Sequence, residues 1–131
     1  MIPHVEPMKT PDGEAFWEGC KNEQLLIPKC SDCEQYHFYP RILCPNCWSE
    51  NIQFEHVSGQ GILYSYTTIY PKPPAQPYIV ALIELDEGVR LMSNLLNESK
   101  RALQVGQKVH VTFTQLAESE TKLPQFVVSE V

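Results

Sequence analysis

The chain has 131 residues, 43% of them hydrophobic and 20% charged, with a formal net charge of −6. That length suits one compact domain, or a small domain with a metal-stapled appendage, and the composition is ordinary for a globular protein. The opening residues lack a basic segment followed by an apolar run, and no apolar stretch approaches the ~20 residues of a membrane helix. Neither a secretory leader nor a membrane span is expected, and a cytosolic location with reduced thiols is the default.

Residues 1–58 carry four Lys/Arg against nine Asp/Glu, and residues 59–131 carry six against seven. Neither half is the basic surface that gains affinity by releasing counterions from nucleic acid.

Residues 1–11 are rich in proline and polar groups and read as an extended arm. "PDGEAFWEGCKNE" (11–23) predicts a short helix with Asp12 as N-cap, acids in its first turn, and Phe16, Trp17 and Cys20 at helical spacing. "QLLIPKC" reads as a strand leading into a first cysteine pair, and "NIQFEHVS" as a strand leaving a second. This is the order of a zinc ribbon. The character changes after Gly59. "GQGILYSYTTIY" alternates, with Ile62, Tyr64, Tyr66, Thr68 and Tyr70 on one face and Leu63, Ser65, Thr67 and Ile69 on the other. "PKPPAQP" is too proline-rich for a central strand. "YIVALIEL" and "VRLMSNLL" then flank "DEG", a hairpin turn with Gly88 placed for positive φ. The polar stretch "NESKRALQVGQ" leads to "KVHVTFTQL", with Val109, Val111 and Phe113 inward, and "PQFVVSEV" supplies a fifth strand. Five strands with the longest irregular connection between the third and fourth predict an OB-fold barrel, with an SH3-like barrel as the rival. The expected architecture is mostly β: an N-terminal arm, helix and ribbon over 1–58, then a barrel over 59–131.

The densest chemistry is "CSDCEQYHFYPRILCPNC" (30–47), two C-x-x-C pairs ten residues apart. Each pair brings two sulfurs to one side of a tight turn, and two such knuckles facing each other give tetrahedral S₄ coordination. Cys30, Cys33, Cys44 and Cys47 are the expected ligands of one Zn²⁺; iron would use the same four, and a disulfide or redox pair is the remaining alternative. With every position filled by protein, such a site is closed and structural. Glu34 and Trp48 stand where a glycine often follows the second cysteine, which argues against an N–H···S-rich electron-transfer geometry. Cys20 reads as a half-buried helix residue beside Phe16. His37 lies between the knuckles, where four cysteines already suffice. His4, His56 and His110 stand singly, and Asp86 and Glu87 read as solvated turn residues. No phosphate loop, nucleophile elbow or triad is present, so no catalytic residue is assigned.

Taken together, "FWEG", "C-x-x-C…YP-R-x-x-CPNC", "GQGILYSYTTIY", "PYIVALIELDEGVRLMSNL" and "VGQKVHVTF" resemble the "domain of unknown function 35" proteins, in which a rubredoxin-like zinc ribbon precedes an OB fold. The resemblance spans nearly the whole chain. It implies a small non-catalytic partner of thiolase-superfamily enzymes that make or break carbon–carbon bonds of acyl-CoA or related substrates, holding subunits together and contributing to a channel or CoA site. The chain's own residues add surface candidates. Tyr64, Tyr66 and Tyr70 lead to the "PKPP" loop and Tyr78 follows it, either filling the barrel or forming an edge for a partner or acyl chain. Lys72, Arg90, Lys100 and Arg101 are candidate contacts for CoA phosphates. The alternatives are a nucleic-acid-binding ribbon/OB protein, which would stack bases on these aromatics, and a rubredoxin-like electron carrier.

Overall fold

The computed structural model describes residues 10–97, 102–116 and 120–129. Residues 1–9 of the expected N-terminal arm, with His4, and Lys100 and Arg101 lie outside the described residues.

A 3-10 turn, Pro11–Gly13, leads into the helix α1, Glu14–Lys21. Asp12 is not the helix cap. Pro11 sets a tight turn closed by the Gly13 N–H on the Thr10 carbonyl (3.0 Å), so the helix starts later and Gly13 is its N-cap. Asp12 instead accepts a hydrogen bond from the Thr10 hydroxyl. Glycine suits position 13 because a Cβ there would lie 2.7 Å from the Tyr39 hydroxyl oxygen. The helix closes with a Schellman pair: Glu23 N–H donates to the Cys20 carbonyl (2.9 Å) and Gln24 N–H to the Gly19 carbonyl (2.8 Å), with Glu23 left-handed at φ 59°.

β1 (Leu26–Cys30) pairs antiparallel with β2 (Ile52–His56), and the two knuckles lie between them. Five strands follow: β3 (Gln60–Ile69), β4 (Tyr78–Leu85), β5 (Arg90–Leu96), β6 (Lys108–Gln115) and β7 (Lys122–Val128). They close in the order β3-β4-β5-β7-β6, with β6 returning to β3 through Gln60↔His110, Gly61↔Val109 and Ile62↔Lys108. β5 and β7 run parallel. This is an OB-fold barrel, not the SH3-like alternative. Gly88 has φ +97° in the β4–β5 turn, as the sequence predicts.

The alternation in β3 does not survive as a single stripe. A bulge at Tyr64 shifts the register, so Ile62 pairs with Glu84 while Tyr66 pairs with the buried core residue Ala81. Ile62 and Tyr66 therefore sit on opposite faces. Nor do the tyrosines fill the barrel: Tyr64 and Tyr66 are each 40% exposed and Tyr70 77%. Leu63, Ile83, Leu91, Leu95, Val109 and Phe126 fill it instead. Val111 and Phe113 pack against that core.

Ribbon and barrel share one core. Phe16, Cys20, Leu25, Ile27 and Val57 are continuous with the barrel interior. Cys20 is fully buried within it rather than half-buried. At the junction, the carboxylate of Glu87 accepts the Ser58 N–H (3.0 Å), so Glu87 is more than a solvated turn residue.

Candidate metal centre

The two knuckles have the same backbone plan. In the first, Cys30 N–H donates to the Gln35 carbonyl (2.9 Å) and Glu34 N–H to the Cys30 carbonyl (2.8 Å). In the second, Cys44 N–H donates to Ser49 and Trp48 N–H to Cys44, both at 2.9 Å. Glu34 and Trp48 occupy the left-handed region at φ 62° and 68°. The conformation that glycine would adopt freely is thus kept without it. Amide N–H groups still point at sulfur, Cys33 N–H to Cys30 Sγ (3.5 Å) and Asn46 N–H to Cys44 Sγ (3.4 Å). The expectation that missing glycines weaken the N–H···S pattern is corrected, because hydrogen bonds on both sides of each turn hold the residue in place.

The four sulfurs of Cys30, Cys33, Cys44 and Cys47 all lie within 4.8 Å of one another. Cys30 Sγ is 3.5 Å from Cys47 Sγ, and Cys33 Sγ is 3.6 Å from Cys44 Sγ. A tetrahedral S₄ shell with bonds of about 2.3 Å has edges of about 3.8 Å, so the donor set fits one metal ion. No cysteine forms a disulfide. The N–H of Cys33 leads the causes that lower the Cys30 thiol to about 6. At Cys47 the Ser49 N–H favours the thiolate, but burial and the three neighbouring sulfurs outweigh it and push the thiol up to about 12. Four crowded thiolates repel unless a cation lies among them.

A carboxylate clamp joins the knuckles. Asp32 accepts hydrogen bonds from the Ser49 hydroxyl and from Asn51 Nδ2 (3.0 Å), and Ser31 N–H donates to the Asn51 carbonyl (2.8 Å). These bonds, Ser49 first, hold the Asp32 pKa below the ordinary carboxylate value. Sequence reasoning missed this clamp; its only trace is an Asp inside the first pair and "SENI" after the second, a pattern common in turns.

His37 is buried but is not part of the sulfur group. Burial, then the Arg41 charge, lowers its pKa, favouring a neutral ring. His110 Nδ1 lies 2.9 Å from Ser129 Oγ, and His56 is exposed.

The surface candidates do not converge. Tyr66 donates its hydroxyl to the Leu103 carbonyl (3.3 Å), while Tyr70, Lys72 and the half-buried Tyr78 surround the β3–β4 connection. Arg90 opens β5 opposite Glu84, which lies six residues or roughly 20 Å along β4 from Tyr78. Its guanidinium lies 4.0 Å from the Tyr64 ring centroid and its Nε 3.2 Å from Glu84 Oε1. Among the described residues no helix is long and apolar enough to cross a membrane.

Residues 17–53 match the family described as "ChsH2, rubredoxin-like zinc ribbon domain" and residues 54–114 that described as "ChsH2, C-terminal OB-fold domain". A probable enoyl-CoA hydratase alpha subunit of Thermomonospora curvata is 36% identical over 116 residues, 86% of this chain but 36% of the relative. This chain therefore spans only about a third of that protein. A DUF35 domain-containing scaffold protein of Methanothermobacter thermautotrophicus is 32% identical over 72% of this chain and 74% of its own length. Benzoylsuccinyl-CoA thiolase subunit BbsA of Geobacter metallireducens is 31% identical over 73% and 66%. Among solved structures, a chain of the Ltp2-ChsH2(DUF35) aldolase superposes with a TM-score of 0.81 and 32% identity, covering 94% of this chain and 98% of that one.

Proposed function

This chain belongs to the DUF35 family of ChsH2-type zinc-ribbon/OB-fold proteins, and from that premise we propose that it is a non-catalytic accessory subunit of a thiolase-superfamily complex acting on acyl-CoA or related acyl substrates. The observation that carries the reading is the closed sulfur cluster at the end of a ribbon whose base shares its core with the barrel. A site with all four donors supplied by protein leaves no position for water or substrate, so its metal stabilises rather than reacts. We take that metal to be zinc, held by Cys30, Cys33, Cys44 and Cys47; when bound it supplies charge neutralisation and a fixed knuckle geometry. Four cysteines held as metal ligands rather than as disulfides suit a reducing compartment such as the cytosol.

The relatives' names support the setting. They include a thiolase subunit, a hydratase alpha subunit and a scaffold protein, and the solved neighbour is one chain of an aldolase. In this reading the partner subunit carries the reacting groups, and this chain presents surfaces that hold it and border the acyl-CoA path. Tyr66, Tyr70, Lys72 and Tyr78 at one barrel end are the candidates for that border; Arg90, tied to Tyr64 and Glu84 at the other end, would act separately.

The test is to express this chain with a thiolase-superfamily protein from its own organism and measure the mass of the purified assembly by light scattering. A stable hetero-oligomer containing one zinc per copy of this chain is expected. Two proteins that elute separately at micromolar concentration would rule the reading out.

A further inference from the structure

One exposed apolar group is not accounted for by the fold. On the second knuckle Trp48 is 77% exposed and Ile42 72%, with Pro45 exposed between them. The Trp48 N–H bond to the Cys44 carbonyl fixes the residue against the metal turn. Its φ of 68° is one that glycine adopts without strain and a bulky residue does not. The same turn in the first knuckle carries a polar residue, Glu34. The indole gains little inside the molecule in return. Trp17 packs edge-on against Phe16 and donates to the Tyr39 hydroxyl (2.9 Å), whereas among the described residues Trp48 meets no other aromatic ring or cation. About 190 Å² of Trp48 stays in water, from a side chain of roughly 250 Å². A strained, solvated tryptophan on a rigid turn makes sense when something covers it, and tryptophan leads the residues that anchor interfaces.

The charge around it says what kind of surface. Residues 26–58, the ribbon, hold two bases, Lys29 and Arg41, against four acids, and four thiolates around one divalent ion add a formal −2. We propose that the second knuckle is the anchor by which the ribbon docks on the thiolase-like subunit, with Trp48, Ile42 and Pro45 seated in an apolar pocket of that subunit rimmed by basic side chains. This rests on the function proposed above. It goes beyond it by assigning the contact to the ribbon rather than to the barrel's tyrosines.

Two glycine substitutions separate backbone from side chain. Trp48→Gly and Glu34→Gly both relieve a left-handed residue, so both raise the melting temperature by a few degrees and keep one zinc per chain. Only Trp48→Gly removes the anchor. Titrated by calorimetry against the same thiolase-superfamily protein, Trp48→Gly is expected to bind about 30-fold or more weakly, and Glu34→Gly within threefold of wild type. Wild-type affinity is expected to fall as salt rises. Should Trp48→Gly lose its metal, Ile42→Ser, which leaves both turns intact, carries the test with an expected tenfold loss. Undiminished binding by the metal-loaded variants overturns the assignment while leaving the accessory-subunit reading in place. A wild-type chain that fails to bind that subunit at all overturns both. A chain that dimerises through Trp48, with partner affinity unchanged in the variant, gives this face to a second copy and overturns the assignment too.

Discussion

Replacing Phe16 by alanine tests whether helix, ribbon and barrel stand on one core. The ring is 2% exposed and meets Trp17, Phe38 and Tyr39 edge-on, with centroids 4.9, 5.1 and 6.2 Å away. Burying about 150 Å² of aromatic surface at roughly 25 cal/mol per Å² gives about 4 kcal/mol. That falls inside the ~3–5 kcal/mol range for Phe→Ala in a packed core. For a chain of this size it corresponds to a fall in melting temperature of about 15 °C. Phe38 and Tyr39 lie between the two cysteine pairs, so the loss should reach the metal: zinc should pass to a chelating dye faster in the variant. Urea unfolding followed by tryptophan fluorescence, together with dye-detected zinc release, measures both effects. A loss below about 1.5 kcal/mol, or unchanged release, would refute the shared core, because it would mean the aromatic cluster does not bear on both sides.

Other expectations follow from single contacts. A Cβ at Gly61 would lie 2.3 Å from the Glu84 carbonyl oxygen and 2.9 Å from the Leu85 Cα, both backbone atoms. Gly61→Ala should therefore cost about 2–3 kcal/mol in urea unfolding by forcing β3 from β4; a neutral result would show that the barrel closes more loosely. Removing the metal with a chelator should release one equivalent per chain and lower stability by on the order of 3 kcal/mol or more, about 10 °C. Calorimetric traces that match with and without metal would contradict this. The lowered pKa of Asp32 means that its clamp contributes above the ordinary carboxylate value of ~3.9 and is lost only as pH falls through the lower folded value. Asp32→Asn should thus speed zinc release by the same factor from pH 8 to pH 5, and a factor that fades within that range would count against the clamp.

The parts legible in the sequence were those written in local patterns. Two C-x-x-C pairs mark the cluster because a knuckle needs only four consecutive residues to point two sulfurs one way. The barrel strands showed through their alternation and their glycine and proline punctuation. What stayed hidden depends on long-range geometry or on one-residue irregularities. The bulge at Tyr64 carries no strong sequence mark, yet it splits the tyrosine stripe between two faces. Pro11 moved the helix start past Asp12 by forming a 3-10 turn first. The Asp32 clamp spans 17 residues to Ser49 and 19 to Asn51, and the roughly 20 Å between the Arg90 and Tyr78 ends of β4 arises only when β4 is laid out as a strand. Glycine's absence after each pair was visible, but its consequence was not, because backbone hydrogen bonds impose the left-handed turn on Glu34 and Trp48.

The most direct measurement of the central claim is a turnover titration. The thiolase-like subunit, held at fixed concentration with its acyl-CoA substrate, receives increasing amounts of this chain loaded with zinc. The account predicts negligible turnover without the chain and a rise that saturates at a fixed molar ratio, with no turnover by this chain alone. Full activity of the isolated thiolase-like subunit, unchanged by any amount of this chain, would contradict it.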